Sequence, residues 1–243
     1  MSSRYHLISY QSTQRLEMPN FQVQPCTEED IPRVFEILSD TFAHDHEYVD
    51  AVFHKHDTPE GRKNGAEQLL NTYRQDPYGH FIKVVDTDTG KTVGAAKWNI
   101  YKAGEVPPQP VLSGPYWPND EEEEFAKAIC QAFFAPRQKI LKENDGRLVA
   151  LEMLMVDPAY HGQGAGRLLV RWGTAHADRL GVEAFVEASE RGRRLYQSEG
   201  FEGPYYEVPV PEKFADRRKQ VYYMMRRPAK AVGPESAPVG ESA

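Results

Sequence analysis

The feature that most constrains the fold is an apolar run followed by a glycine-rich turn and a helix. Residues 148–156 read LVALEMLMV, a strand pattern interrupted by one glutamate. Three glycines follow within 162–166, and a helical pattern over 167–180 then ends at Gly181, a typical residue just beyond a helix. A strand that leads directly into a helix implies a sheet covered by helices. The turn also gathers backbone N–H groups at a positively polarised helix end, which suits a phosphate.

Apolar patterns on both sides of this unit predict further strands and helices. Alternating residues predict strands over 21–25, 81–85, 93–101, 182–188, 201–208 and 220–226. Periodic apolar residues predict a helix that begins at Thr27 and runs to Phe42, and others around 66–73, over 121–142 and over 190–198. Strands and helices mix throughout, so the predicted class is α/β (α+β), with about six to seven strands in a single domain.

Composition divides the chain into one folded domain and two terminal segments. Residues 1–20 are polar and aperiodic and are interpreted as an N-terminal extension. The folded domain is predicted over 21–226, with an insertion at 102–146 that opens with a proline-rich stretch. Residues 227–243 contain Pro, Gly, Ser and Ala and are predicted to form a disordered tail.

Charge and cysteine usage exclude several classes of protein. The 243 residues include 29 Lys and Arg against 36 Asp and Glu, so the formal net charge is −7 and no nucleic-acid partner is expected. There is no apolar run of about 18 residues and no apolar segment near the start, so neither a membrane partner nor a secretory signal is expected. Two cysteines, far apart, favour a soluble cytoplasmic protein with reduced thiols.

The spacing of the glycines excludes two common phosphate-binding motifs. The P-loop string GxxxxGK[ST] does not occur in the sequence. A dinucleotide fingerprint GxGxxG that starts at Gly162 would need glycine where Arg167 stands. One that starts at Gly164 would need glycine where Leu169 stands. The turn therefore matches neither of these motifs, and its phosphate ligand is of another kind.

Two motifs in sequence resemble those of the GNAT superfamily, the GCN5-related N-acetyltransferases. The family signature [RQ]-x-x-G-x-[GA] is similar to residues 161–166, which read HGQGAG and follow Val-Asp-Pro at 156–158. The family ending L-Y-x-x-x-G-F is similar to LYQSEGF at 195–201. The resemblance is clearest over 148–202 and extends over about 21–226.

This resemblance implies a splayed, mixed central sheet flanked by helices, and an N-acetyltransferase that uses acetyl-CoA as co-substrate. Backbone amides of the glycine turn would hold the CoA pyrophosphate, which maps onto His161, Gly162, Gln163, Gly164, Ala165, Gly166 and Arg167. Backbone groups of the preceding strand would hold the pantetheine, which maps onto Leu154, Met155 and Val156.

The sequence departs from the family pattern at several positions around the turn. His161 stands where Arg or Gln is usual, and Glu190 and Arg193 replace the Asn and Ala of many relatives. A side-chain amide contact to the cofactor is therefore in doubt. Four arginines either meet the nucleotide phosphates or form a solvated helix face, namely Arg167, Arg191, Arg193 and Arg194.

Acyl transfer to an amine needs a proton for the leaving thiolate and a base for the amine. Tyr196 matches the family tyrosine that acts as general acid. Glu152 is the candidate base, because a carboxylate in an apolar strand needs a partner, water or substrate. Alternation predicts that it shares one face with Ala150, Leu154 and Val156. Glu187 and a water chain remain as alternative bases.

The acceptor side is the least determined by the sequence. Segments 43–76 and 103–120 lie where relatives build the acceptor pocket. Five aromatic residues in or near these segments either line that pocket or pack in the core, namely Tyr73, Tyr78, Trp98, Tyr116 and Trp117. No metal is predicted, because four histidines at i,i+2 spacing would point to different faces of a helix, namely His44, His46, His54 and His56. They are interpreted as surface or acceptor-site residues.

The predicted function is direct transfer of an acetyl group from acetyl-CoA to a primary amine of a small molecule. A covalent acyl-enzyme is disfavoured, because neither Cys26 nor Cys130 has a His or Asp motif beside it. Two alternatives stay open: a protein acetyltransferase acting on lysine or an N-terminus, and a catalytically silent acyl-CoA-binding regulatory module. The sequence predicts no oligomeric state.

Overall fold

The centre of the fold is a seven-stranded sheet with the order β1-β2-β3-β4-β5-β7-β6. The computed structural model describes residues 20–230. The strands are β1 (Phe21–Pro25), β2 (Gly79–Asp86), β3 (Lys91–Tyr101), β4 (Leu148–Val156), β5 (Ala184–Ala188), β6 (Tyr205–Glu207) and β7 (Val221–Arg227). All neighbours pair antiparallel except β4 and β5, which are parallel. The predicted mixed α/β class is confirmed.

The parallel pair of strands opens a gap in the middle of the sheet. β4 and β5 pair only over Val149–Leu151 and Ala184–Val186. Beyond Leu151, β4 continues to Val156 alongside β3 alone. Backbone groups on the free edge of β4 therefore have no strand partner on that side, and the sheet is splayed as predicted.

Within residues 20–230, six α-helices cover the sheet. They are α1 (Ile31–Phe42), α2 (Glu47–Val52), α3 (Pro59–Gln75), α4 (Asp120–Glu143), α5 (Ala165–Leu180) and α6 (Glu190–Ser198). The single helix predicted around 66–73 is part of α3, and the short α2 before it was not predicted. α4 lies within the segment predicted to be an insertion, and its apolar side is buried, so this segment is part of the core.

The two faces of the sheet carry different helices. α5 packs on one face, where the indole N–H of Trp98 donates to the Leu169 carbonyl at 3.1 Å. Gly173 lies directly over the same indole ring, where no side chain would fit. α1 and α4 pack on the other face, in two separate apolar clusters. The space between these two clusters, next to the gap between β4 and β5, is where the candidate site lies.

A β-bulge in β4 changes the direction of its side chains. Trp98 pairs with Leu151 and Lys97 pairs with Met153, so Glu152 has no direct partner in β3. Ala150 packs beneath α4, whereas Leu154 packs on the α5 side. The prediction that these residues share one face with Glu152 and Val156 is therefore wrong, because the bulge inserts one residue into the alternation.

The ends of the chain lie partly outside the described residues. Residues 1–19 of the predicted N-terminal extension and residues 231–243 of the predicted tail are not described. β7 ends at Arg227, one residue past the predicted domain boundary. Within 20–230, no helix is both long and apolar enough to cross a membrane.

Candidate active site

A cavity of about 1610 Å³ opens at the gap between β4 and β5. The glycine turn and α6 form one end of it, and α4 with the proline-rich segment 107–113 forms the other. Its lining includes most of the predicted cofactor-binding residues, namely Leu154, Val156, His161, Gly162, Gly164, Ala165, Gly166 and Arg167. The predicted residues Met155 and Gln163 are not in the lining: Met155 packs under α1, and the Gln163 amide donates to the Ala159 carbonyl.

The glycine turn has the geometry of an anion-binding helix start. Gly162 and Gly164 have φ values of 74° and 100°, which residues other than glycine adopt only with strain. Gly164 precedes α5, and no side chain caps this helix end. The first N–H groups of a helix have no partner inside it, so at α5 they are available to a ligand in the cavity.

His161 has a structural contact that the family pattern does not predict. Its Nε2–H donates to the Val156 carbonyl at 2.7 Å, and the Thr41 hydroxyl donates to the same oxygen at 2.9 Å. These two bonds join the turn, the end of β4 and the end of α1. Of the four candidate phosphate-binding arginines, Arg167 and Arg191 line the cavity.

Tyr196 lies on α6 with its ring in the core. The ring packs against Phe201, and the side chain lines the cavity beside the glycine turn. Burial raises the pKa of Tyr196. The phenol therefore keeps its proton at neutral pH, the state in which a general acid acts. Gly192, one turn earlier, leaves the room that the Tyr196 ring occupies.

Glu152 belongs to a buried ladder of charges that crosses the sheet face. Lys97 lies 2.6 Å from Asp76 and 2.7 Å from Glu152. The Asn99 amide donates to the same Glu152 oxygen, Oε2, at 3.1 Å, and Arg137 of α4 lies 3.6 Å from it. All these contacts are made by Oε2, so Oε1 remains for a further partner.

Glu187, the alternative base, is held at the other end of the same ladder. Arg137 donates to both of its carboxylate oxygens and to the Leu151 carbonyl, the last at 3.0 Å. Burial raises the pKa of Glu187 against the opposing effect of Arg137. Because Glu187 is paired on both oxygens, the geometry favours Glu152 over it as the group that faces a substrate.

His46 lines the cavity, which is one of the two positions that the sequence left open for it. It precedes α2, and its Nδ1 lies 3.2 Å from the hydroxyl of Tyr222. Burial, assisted by the charge of Arg218, lowers its pKa to about 4. The imidazole is therefore neutral at physiological pH. Nothing in the local sequence distinguished it from the other histidines nearby.

Orphaned polar atoms are concentrated at this cavity. Within residues 20–230, three buried side-chain atoms have no hydrogen-bond partner: His46 Nε2, Asn99 Oδ1 and Arg137 Nη1. All three side chains line the cavity. Since buried polar groups normally have partners, their concentration here is typical of a place where a polar ligand or water completes the bonding.

The acceptor end contains aromatic residues, but only some of the predicted ones. Tyr78 and Tyr116 line the cavity, whereas Tyr73, Trp98 and Trp117 pack elsewhere. Aromatic residues in the lining that were not predicted are Phe42, Tyr48, Phe53, Tyr101, Phe133, Phe134, Tyr160 and Tyr222. Half of them come from α1, α2 and α4, elements that meet only in the folded chain.

The buried neutral histidine makes the stability of the protein depend on pH. The folded state keeps His46 neutral down to about pH 4, whereas an unfolded chain binds the proton near pH 6.5. We expect the free energy of unfolding to fall by up to about 3 kcal/mol between pH 6.5 and pH 4 from this group alone. His46→Gln should remove that part of the slope in urea unfolding measured from pH 4.5 to 7.5. The control His54→Gln should keep it, and equal slopes in all three proteins would contradict the assignment.

The chain resembles known acetyltransferases over this same region. Residues 122–203 match a family model described as an acetyltransferase (GNAT) domain. No curated protein sequence matches the chain. The fold is similar to that of mosquito arylalkylamine N-acetyltransferase like 5b, with a TM-score of 0.60, 14% identity, and coverage of 86% of this chain and 99% of that one.

Two further solved structures have the same fold. Arylalkylamine N-acetyltransferase 2 from Aedes aegypti has a TM-score of 0.56 at 18% identity and covers 86% of this chain and 98% of its own. The structure of histone acetyltransferase HPA2 and related acetyltransferase from Corynebacterium glutamicum has a TM-score of 0.52 at 18% identity. The match covers 87% of this chain and 98% of that one.

The family model and the similar folds indicate the same class of protein. The chain contains a GNAT acetyltransferase domain and has the GNAT fold, so the resemblance drawn from the sequence and the prediction of an acetyltransferase are confirmed.

Proposed function

We propose that this chain transfers the acetyl group of acetyl-CoA directly to the primary amine of a small molecule that carries an apolar, aromatic part. The observation that supports this most is the single cavity, which joins the glycine turn to an end lined by aromatic residues and α4. Three largely buried carboxylates at that end, of Asp76, Glu152 and Glu187, outnumber the cations Lys97 and Arg137, and this net negative charge favours an ammonium group. Two proteins of similar fold are arylalkylamine N-acetyltransferases.

The residues of the turn fit the phosphates of acetyl-CoA. Two glycines with positive φ and an uncapped helix start present backbone N–H groups to the cavity, and Arg167 and Arg191 lie beside them. Acetyl-CoA, as a substrate, supplies the reactive thioester. With the pyrophosphate at α5, the free edge of β4 beyond Leu151 leads the pantetheine arm toward Tyr196.

The reaction proceeds by direct displacement. The neutral amine attacks the thioester carbonyl carbon, the new C–N bond forms, and the C–S bond breaks. Tyr196 donates its phenolic proton to the departing thiolate. Glu152 receives the amine proton on Oε1, while Lys97 and Asn99 hold Oε2 in place. A water chain from the cavity is the alternative route for that proton.

The experiment is release of free CoA thiol from acetyl-CoA over a panel of acceptors. The panel contains arylalkylamines, polyamines, amino acids, aminoglycosides and lysine peptides, and the Glu152→Gln variant is assayed in parallel. Preference for an arylalkylamine supports the proposal, and preference for lysine peptides supports a protein acetyltransferase instead. Tight acetyl-CoA binding without release from any amine supports a regulatory module. If Glu152 is the base, Glu152→Gln loses activity chiefly below the pKa of the amine.

The glycine turn gives a separate prediction for acetyl-CoA affinity. Gly164→Ala adds a methyl group at φ 100°, where no neighbouring atom lies within 4 Å, so the change disturbs the backbone rather than the packing. We expect the Kd for acetyl-CoA, measured by calorimetry, to rise at least about tenfold, or about 1.4 kcal/mol. Gly90→Ala is the matched control, because it has φ 70°, open surroundings and a place in the distant β2–β3 turn. Equal losses of acetyl-CoA affinity in both variants would show that the effect comes from general backbone strain.

A further inference from the structure

A cluster of metal-ligating side chains lies outside the candidate active site. His44 Nδ1 is 2.8 Å from Asp50 Oδ1, and His56 Nε2 is 3.1 Å from the same oxygen. The three ligand atoms all lie within 4.8 Å of one another. The i,i+2 spacing predicts that neighbouring histidines point to different faces of a helix, but this cluster combines His44 with His56, which are twelve positions apart. In the structure His44 precedes α2 and His56 follows it, so the two rings approach Asp50 from opposite ends of that helix.

The hydrogen bonds of His56 place its Nε2 against Asp50. The Ser39 hydroxyl donates its one proton to the His56 carbonyl oxygen at 2.9 Å. The contact between Ser39 Oγ and His56 Nδ1, also 2.9 Å, then takes its proton from the ring nitrogen. This leaves Nε2, 3.1 Å from Asp50 Oδ1, as the ring atom that bonds the carboxylate through a proton or through a bound cation.

The surroundings orient these ligands as the outer groups of a metal site do. Arg218 donates to Asp50 Oδ2 at 2.7 Å, which leaves Oδ1 for the ion. His44 Nε2 lies 3.4 Å from the carboxylate of Asp57, an arrangement that fixes its ring with Nδ1 as the ligand. Ligands about 2.0–2.2 Å from a tetrahedral ion lie roughly 3.3–3.6 Å apart, so a small adjustment suffices.

The two histidines differ in exposure in a way that suits ion entry. The side chain of His56 is 1% exposed, whereas that of His44 is 63% exposed. The open side of the cluster gives an ion a path from solvent and gives water a place as an additional ligand. Two imidazoles and one carboxylate are a typical ligand set for zinc and related divalent ions.

We propose that His44 Nδ1, Asp50 Oδ1 and His56 Nε2 bind one divalent transition-metal ion of the zinc type, with water completing the coordination. The ion joins the end of α1, α2 and the turn before α3. Those elements form one wall of the active-site cavity through Asp45, His46, Tyr48, Val49 and Val52. Metal binding therefore stabilises the acceptor wall.

The test is calorimetric titration of the chelator-treated 243-residue chain with zinc chloride at pH 7.5. We expect one ion per chain at micromolar Kd or tighter, and a higher Tm with zinc than without it. His44→Ala and Asp50→Asn should each weaken binding at least tenfold. His44→Ala should leave the metal-free Tm unchanged, because the His44 side chain is largely exposed. His54→Ala is the matched control and should bind like the wild type.

Cobalt provides a second readout that does not depend on activity. Co²⁺ bound by two imidazoles and a carboxylate gives visible absorption bands, and these should be lost in His44→Ala and kept in His54→Ala. Absence of stoichiometric zinc binding would overturn the proposal. Binding that survives in both His44→Ala and Asp50→Asn would do the same, since the ion would then reside elsewhere in the chain.

Discussion

Tyr196→Phe lowers kcat for amine-dependent CoA release by about 10²-fold, with the KM for acetyl-CoA within about twofold of the wild-type value. The change removes only the hydroxyl, so the ring keeps its packing against Phe201 and the fold is retained. Since only the proton donor is lost, the chemical step slows while acetyl-CoA binding at the turn persists. The measurement is steady-state kinetics with the best acceptor of the panel.

Tyr205→Phe is the matched control, because its side chain is exposed and lies away from the cavity. Its kcat should equal that of the wild type. The raised pKa of Tyr196 adds a pH prediction: the phenol stays protonated past pH 10, so the wild-type kcat should show no alkaline loss from this group below that pH. An unchanged kcat in Tyr196→Phe would show that Tyr196 is not the general acid.

Arg137→Met is expected to lower the free energy of unfolding by about 3–5 kcal/mol, the largest loss of stability among the variants proposed here. Arg137 is fully buried and is the ion-pair partner of Glu187, whose side chain is 1% exposed. Removing the guanidinium leaves that carboxylate buried without a partner, and the Leu151 carbonyl loses a donor as well. Urea unfolding at pH 7.5 measures the loss.

The double variant Arg137→Met with Glu187→Gln separates the ion pair from general damage to packing. It should recover much of the stability, because the unpaired charge is absent. As a matched control, Lys127→Met breaks the exposed pair with Glu123 on the same helix and should cost at most about 0.5 kcal/mol. If the double variant were as unstable as Arg137→Met, the loss would come from packing alone.

The charge ladder also determines what Glu152 can do. Lys97 is buried, and although burial opposes its charge, the carboxylates of Glu152 and Asp76 outweigh that effect and raise its pKa. Lys97 therefore stays charged and holds Glu152 by one oxygen. A carboxylate held in this way is positioned for a substrate at its other oxygen, which is why Glu152 is proposed to receive the amine proton.

The sequence by itself determined the unit that runs from β4 through the glycine turn to α5, and the placement of Tyr196 on α6. Consecutive residues build each of these parts, so apolar periodicity, helix-ending glycines and motif spacing were sufficient to recognise them. The mixed sheet followed from the same patterns, because a strand that leads into a helix needs a covered sheet.

Only the tertiary structure decided which side chains meet. The β4 bulge leaves Glu152 on the α4 face with Ala150 but turns Leu154 to the α5 face, and it depends on pairing with β3 rather than on β4 alone. Lys97 meets Glu152 across 55 positions of sequence, and Arg137 meets Glu187 across 50. His44 lies before α2 and His56 lies after it, and the fold brings both side chains next to Asp50 of α2. Local periodicity carries no information about such contacts, since each one depends on where separate elements pack.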